Sequence, residues 1–346
     1  MNGEFLTSSS IEGVAKEATV GGVLRKILDC FFLLRIPLLV PVWTIFLLGI
    51  ITGSSDAHAG GFFIGPYALS AIAWWGLLAF SLIVASIYVV NQIVDIESDR
   101  INHKLFLLPH GFISVRTAWT LAVVCAIGGI AISFFLLDSP TVTVLFFISL
   151  FLGYLYNLPP VQLKNSALGG VAANALGHGM LAFLVGWFIV HNGDPFSWAT
   201  LHVGLISGLA PTLANAAVYL ATTIPDAEGD RKTGKKTFCV AYGEKKTAII
   251  AALFCAGTLI ASFFMLYHPW VMAVPSGISL LVFILFAVSA TRERSFKAFK
   301  WPVILLSIFV AIFFPEYALL ILLTYFGSKI YYKWRFNFNY PTLNVK

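Results

Sequence analysis

ALSAIAWWGLLAFSLIVASIYVVNQIVDIESDRIN, from Ala68 to Asn102, decides the fold. Its first 23 residues, through Val90, hold no charged side chain, and then Asp95, Glu97 and Asp99 fall within five positions. About 20 apolar residues rising 1.5 Å each cross a hydrocarbon layer ~30 Å thick. A segment in lipid must satisfy its own backbone hydrogen bonds, so it is a helix. The unit is therefore a membrane helix that ends in an acidic run.

The same reading gives further spans at Ile36 to Gly53, Ala118 to Leu137, Thr141 to Tyr156, Ala167 to Val190, Leu201 to Ile224, Ala248 to Tyr267, Val271 to Ala290 and Pro302 to Tyr325. The 346 residues are 59% hydrophobic and 11% charged, with a mean hydropathy of +0.87; a soluble domain carries about twice that charged share. The expected fold is an all-α integral membrane protein, a bundle of about nine transmembrane helices around a central cavity. Residues 1–30 read as a cytoplasmic segment without the apolar core of a cleavable signal peptide. Residues 31–330 read as one transmembrane domain and 331–346 as a tail. Phe314-Pro315-Glu316 interrupts the ninth span, where a proline kinks the helix or turns it back.

The four cysteines, Cys30, Cys125, Cys239 and Cys255, form no C-x-x-C pair, so neither zinc nor a disulfide framework is indicated. The formal net charge of +6 does not point to nucleic acid, because the cations lie in loops between spans. Counted along the chain, Lys and Arg number four up to the first span, then zero, three, zero, one, zero, six, zero and four, with four in the tail. This alternation places the N-terminus and the even-numbered loops in the cytoplasm. The tail, with Lys329, Lys333, Arg335 and Lys346, would then end on the wrong side after nine crossings.

Six of the 16 acids occupy two five-residue windows, Asp95, Glu97, Asp99 and Asp226, Glu228, Asp230. Both windows follow even-numbered spans, so they share the cytoplasmic side. Asp95 and Asp99 precede Asp226 and Asp230 by 131 residues, and Thr117, Ala118, Ala122, Cys125 and Ala126 match Thr247, Ala248, Ala252, Cys255 and Ala256 at an offset of 130. Two similar halves would bring the acidic loops together; chance similarity between Ala-rich helices explains the helix part equally well.

Asn91, Asp95 and Asp99 are spaced by four, as are Asp226 and Asp230. On a helix such positions form one stripe with Cβ atoms about 5 to 6 Å apart, where like charges repel. A divalent cation removes the conflict. Mg²⁺ takes one or two carboxylates and completes its octahedron with water and phosphate oxygens, so two facing acidic loops suit ions bridging a diphosphate. Arg100, Arg231, Lys232, Lys235 and Lys236 on the same loops, with Lys164 between them, fit a metal-diphosphate better than a bare cation.

These loops resemble the two signature motifs of the UbiA-type intramembrane prenyltransferases. The first, N-D-x-x-D-x-x-x-D, is met by Asn91, Asp95 and Asp99, and the second, D-x-x-G-D-x-x-x-G, by Asp226, Gly229, Asp230 and Gly234. YNLPPVQLKN resembles the family's Y-x-x-P-P-x-x-L-K segment through Tyr156, Pro159, Pro160 and Lys164. Gln92 departs from the pattern, standing where many members have Asp.

The resemblance implies Mg²⁺-dependent transfer of a prenyl group from an isoprenoid diphosphate to a lipophilic acceptor. Asn91, Asp95, Asp99, Asp226 and Asp230 would hold metal, and Lys164, Arg100 and Lys235, with Arg231, would meet diphosphate oxygens. The second motif is most like the branch that includes chlorophyll, homogentisate and archaeal glyceryl-lipid enzymes, which implies a long chain such as geranylgeranyl.

An allylic cation needs a dry, electron-rich chamber. Tyr154 and Tyr156 are candidate walls or, alternatively, interfacial belt residues. Asn174 and His178, four apart in the fifth span, and Asn215 and Tyr219 in the sixth either contact substrate or hydrogen-bond between helices. Arg35 either reaches a bound headgroup or snorkels to the interface. Glu316 is a functional candidate as an acid in an apolar segment, unless the break lies at the interface. The competing readings are an intramembrane terpene cyclase and, in a different class, a divalent-cation transporter, whose site would lie nearer the bilayer midplane.

Overall fold

The computed structural model describes residues 22–54, 68–101, 107–191 and 196–341. Most of the expected N-terminal segment, Asn102 and Lys346 therefore lie outside the described residues. Those described fold into helices with no strand among them.

Among the described residues a short helix α1, Gly22–Leu33, precedes nine helices long and apolar enough to cross a membrane. These are α2 (Ile36–Gly53), α3 (Ala71–Val94), α5 (Val115–Phe135), α6 (Pro140–Asn157), α7 (Ala167–Val190), α8 (Trp198–Lys232), α10 (Glu244–Ser262), α11 (Trp270–Val288) and α12 (Arg292–Phe313). Short helices α4 (Ile96–Ile101) and α9 (Phe238–Tyr242) follow the two acid-bearing helices. A further helix, α13, spans Pro315–Phe336.

Local sequence explains where the spans begin. Ser70, Ser114, Ser139, Ser166, Ser197 and Thr291 each cap a helix by accepting a backbone N–H on their hydroxyl oxygen. These caps satisfy donors that the first turn leaves unpaired. Large apolar side chains such as Val124, Ile127, Phe135, Phe151, Leu281 and Val288 point outward, as they do where lipid is the solvent.

The two most buried spans, α2 and α7, cross at the centre. They meet through glycine. A Cβ on Gly49 would strike the Phe183 carbonyl oxygen, and one on Gly186 the Phe46 carbonyl oxygen. Small residues let membrane helices approach to backbone contact. The internal repeat also has a structural counterpart: α5 packs on α3 and α10 packs on α8. Ala118, Ala122 and Cys125 are buried on α5, as are Ala248 and Cys255 on α10.

Two boundaries differ from the sequence reading. The segment read as one ninth span is two helices, because α12 ends at Phe313 and Pro315, which has no N–H to donate, opens α13. Phe314 bridges them in an extended conformation. Near the break Phe313 packs against His268 and Trp270, while the far end of α13 places Tyr332 on the cavity that holds the acids. The chain thus returns to the acidic end, which removes the conflict over the basic tail. Second, α8 does not stop near Ile224. It continues through Pro225 to Lys232, so Asp226 and Asp230 sit on its last turns rather than in a loop.

Candidate active site

Asn91 lies in the last turn of α3, Asp95 follows as its C-cap, and Asp99 belongs to α4. The Asn91 amide donates to Asp95 Oδ2 at 3.0 Å and to Asn157 Oδ1 at 2.8 Å. On the other carboxylate oxygen, Asp95 Oδ1 receives Lys164 Nζ and Lys235 Nζ, each at 2.9 Å. Lys164 comes from the turn after α6 and Lys235 from the turn after α8. One carboxylate therefore ties three separate parts of the chain.

Burial would push the Asp95 carboxyl up, but the two ammonium groups overcome it and hold it below its ordinary value. The lysines diverge. Burial lowers Lys164 despite the Asp95 charge. For Lys235 burial acts in the same sense, but Asp95, together with Asp230 and Asp99, outweighs it and raises the value.

Asp226 and Asp230 are one helical turn apart on α8, and Thr237 Oγ1 donates to Asp230 Oδ2 at 3.2 Å. Both acid pairs line one cavity of about 510 Å³, together with Asn91, Lys164, Lys235, Tyr156 and Tyr219. A second cavity, about 500 Å³, shares Arg35, Tyr156, Tyr219 and Asp226 with the first. It runs on past Asn174, His178 and Asn215 to the apolar Val42, Ile45, Met272, Phe283 and Leu306. Beside them lies a pocket of about 170 Å³ lined by Arg35, Tyr88, Asn91, Tyr156, Asn157, Asn174 and His178, among others. A polar chamber, an apolar chamber and a small side pocket thus meet at Arg35 and Tyr156.

Local backbone shapes this junction. Helix α7 widens into π-helical turns at Ala175–Leu181, which carry His178; such bulges are frequent at functional sites. Gly170 admits the Tyr219 hydroxyl where any Cβ would collide. Tyr156 is in hydrogen-bond contact with both Asn174 and Tyr219.

Three expected residues stand elsewhere. Arg100 is exposed, with Nη1 paired to Glu97 Oε2 at 2.9 Å and Nε and Nη2 donating to the Pro109 carbonyl. Arg231 is exposed and lines none of the three cavities. Tyr154 packs into the core with its hydroxyl 3.3 Å from Ser86 Oγ. Of the bases proposed to meet the diphosphate, the structure brings Lys164 and Lys235 to the acids and turns the two arginines outward. Glu316 sits in the first turn of α13, beside the break, and lines none of these cavities.

Sequence reasoning left Arg35 open and missed Asn157. Arg35 lines all three cavities, donates through Nη1 to Asn91 Oδ1 at 3.3 Å, and keeps Nε buried without a partner among the described residues. The signals were present, Arg35 two residues before a span's first proline and Asn157 directly after Tyr156. Only tertiary folding brings them to Asn91.

Gln92 has a structural explanation. Its buried amide donates to the Leu33 carbonyl at 2.7 Å and the Tyr88 carbonyl at 3.1 Å, so it holds the end of α1 against α3. Gln92→Asp would set a carboxylate against two carbonyl oxygens, and a buried unmade hydrogen bond costs about 1–3 kcal/mol. The expected result is a lower thermal midpoint in detergent; an unchanged midpoint would refute this role.

Among the described residues no three His, Cys, Asp or Glu side chains form a closed metal cage. The donors are oxygen atoms in two separate pairs on one cavity. That set fits Mg²⁺, which keeps most of its positions for water and phosphate. It does not fit a resident zinc, which takes four protein ligands at a structural site.

The model of the UbiA prenyltransferase family matches residues 46–312. The chain is 32% identical over 197 residues to a probable chloroplastic homogentisate phytyltransferase 2 of Oryza sativa subsp. japonica, covering 55% of this chain and 49% of that protein. It is 33% identical over 193 residues to the digeranylgeranylglyceryl phosphate synthase of Thermococcus gammatolerans, covering 54% and 62%. The matched stretch thus spans about half or somewhat more of these relatives. A UbiA homolog from Archaeoglobus fulgidus, solved bound to DMAPP and Mg²⁺, superposes with a TM-score of 0.61 at 20% identity, covering 85% of this chain and 99% of that one. The apo UbiA homolog of Aeropyrum pernix K1 gives 0.62 at 18% identity, covering 79% and 94%.

Proposed function

This chain belongs to the UbiA prenyltransferase family, and on that footing we propose that it transfers a prenyl group from an isoprenoid diphosphate to a lipophilic acceptor with release of diphosphate. The observation that carries the reading is a pair of adjoining cavities that share Arg35, Tyr156, Tyr219 and Asp226, one lined by two acid pairs, the buried Lys164 and the half-buried Lys235, the other running into apolar side chains.

Asn91, Asp95, Asp99, Asp226 and Asp230 would hold Mg²⁺. Bound there, the metal would stabilise the charge that builds on the departing diphosphate. Lys164 and Lys235 do the same by charge-assisted hydrogen bonds. Both now rest on Asp95, and arrival of diphosphate oxygens lets these ammonium groups exchange partners. The prenyl chain lies along Val42, Ile45, Met272 and Leu306, where a length such as geranylgeranyl is accommodated. The bond from C1 to oxygen breaks with its electron pair leaving on diphosphate. C1 then bonds the acceptor, and the acceptor loses a proton. Tyr156, at the junction, presents an aromatic ring to the cationic carbon.

The acceptor fits the side pocket of about 170 Å³. An apolar cavity of about 150 Å³ is known to admit benzene, so the scale is that of one ring rather than a glyceryl lipid. Asn174 and His178 supply polar contacts for its substituents, and Arg35 a positive charge. The excess of Lys and Arg in the loops at this end of the bundle supports a cytoplasmic position for it.

The test is to incubate purified protein with labelled geranylgeranyl diphosphate, Mg²⁺ and either homogentisate or a glyceryl phosphate ether lipid. A prenylated ring product with stoichiometric diphosphate is expected. A hydrocarbon formed without acceptor would favour a terpene cyclase, and Mg²⁺ flux with no diphosphate released would favour a transporter; either would remove the proposal.

A further inference from the structure

Helix α13 and the segment after it lie beyond residue 312, where the match to the family ends, yet they reach the polar chamber. Tyr332, Phe338 and Tyr340 line it alongside Phe32 of α1. Such a short stretch could fray, but it is tied down. Asp29, buried in α1, accepts Tyr331 Oη at 2.7 Å, Arg335 Nε at 3.1 Å and Arg335 Nη2 at 3.2 Å. The Arg335 guanidinium lies 4.5 Å over the Phe112 ring and 5.0 Å over Phe336, and Phe32 stacks on Tyr331 at 3.8 Å.

A buried ion pair is a poor source of stability, because desolvation offsets the attraction, but it is well suited to fixing register. Here it fixes the end of α13 against α1. Asn337 then adopts a left-handed conformation, φ 51°, which closes the helix and reverses the chain. The reversal carries Phe338 and Tyr340 back over the chamber, where the Tyr340 ring meets Tyr332 edge to face at 5.0 Å.

We infer that residues 332–340 form an aromatic clasp that walls the diphosphate end of the chamber against bulk water, with Asp29 and Arg335 as the positioning residues that hold it shut. The inference rests on the prenyl-transfer reading for its consequence. If the clasp opens, water can attack C1 as the bond to diphosphate breaks, forming prenyl alcohol and releasing a proton to solvent. Closed, the chamber leaves the acceptor as the reaction partner.

Two measurements test it, and the first does not depend on catalysis. In a protein whose four cysteines are replaced by alanine, Thr222→Cys places one thiol on the chamber wall. Adding Phe338→Ala and Tyr340→Ala, which lie outside the bundle, should raise its reaction rate with a water-soluble, membrane-impermeant maleimide at least tenfold. An unchanged rate would overturn the cover. Second, in the otherwise native protein given geranylgeranyl diphosphate, Mg²⁺ and homogentisate, the same pair of substitutions, and separately Asp29→Asn, should raise the ratio of prenyl alcohol to prenylated product at least fivefold. An unchanged ratio with faster labelling would leave a cover that does not govern water, and the inference would fall. If the native protein releases no diphosphate at all, the transfer reading and the claim on partition both fail, while labelling still decides whether the clasp closes the chamber.

Discussion

Replacing Asp226 or Asp95 with alanine should lower product formation by about a hundred- to a thousandfold, the loss seen when one preorganised electrostatic group is removed from a developing anion. The two acids line the polar chamber from different elements, one on α8 and the other at the end of α3. Each substitution lies at a helix end away from the buried crossing of α2 and α7, so the bundle should keep its helical circular dichroism. The two defects differ in kind. Asp226→Ala should also weaken Mg²⁺-dependent binding of prenyl diphosphate, measured by calorimetry. Asp95→Ala additionally releases Lys164 and Lys235, leaving two ammonium groups without their carboxylate. Full activity in both variants would refute the site.

Lys164 should set the alkaline limit of activity. Its ammonium is buried, and burial lowers its pKa despite the neighbouring Asp95. As pH rises through that lowered value the proton leaves, and a charge that would meet the diphosphate disappears. The alkaline limb of kcat/KM should therefore fall below the ordinary lysine range near ~10.4. Lys235 is raised, so it keeps its proton over the same interval and does not produce the limb. Lys164→Met should cost about a hundredfold in kcat/KM. Lys164→Arg should recover part of the rate and move the limb to higher pH, because a guanidinium does not titrate there. A limb that stays in place with arginine would remove Lys164 from this role.

The membrane bundle was legible because lipid leaves few choices: Ala68 to Val90, with no charge, has to be a helix. The acids were legible for an electrostatic reason, since Asp226 and Asp230 one turn apart repel unless a cation or base answers them. Three kinds of information were not. Pro225 favours a helix end locally, yet α8 runs through it. Phe314-Pro315 was visible as an interruption, but whether it bends one span or separates two depends on what α13 finds to pack against, here α2 and the buried Asp29. Charge also does not reveal direction. Arg100 and Lys235 read alike in sequence, but Arg100 turns to Glu97 and Pro109 while Lys235 crosses to Asp95. Arg35 and Asn157 meet Asn91 only after distant helices close around it.

Gly49 and Gly186 put the main chains of α2 and α7 in direct contact, so these two helices have no side-chain cushion to compress. As a spine without side-chain play they are expected to hold Arg35, just before α2, and Asn174 and His178, on α7, at a constant spacing. Accommodation of a bulkier guest is then expected on the bank formed by α11 and α12, whose Met272, Phe283 and Leu306 side chains line the apolar chamber. Selection for a different chain length should therefore accumulate changes on that bank and leave the spine alone.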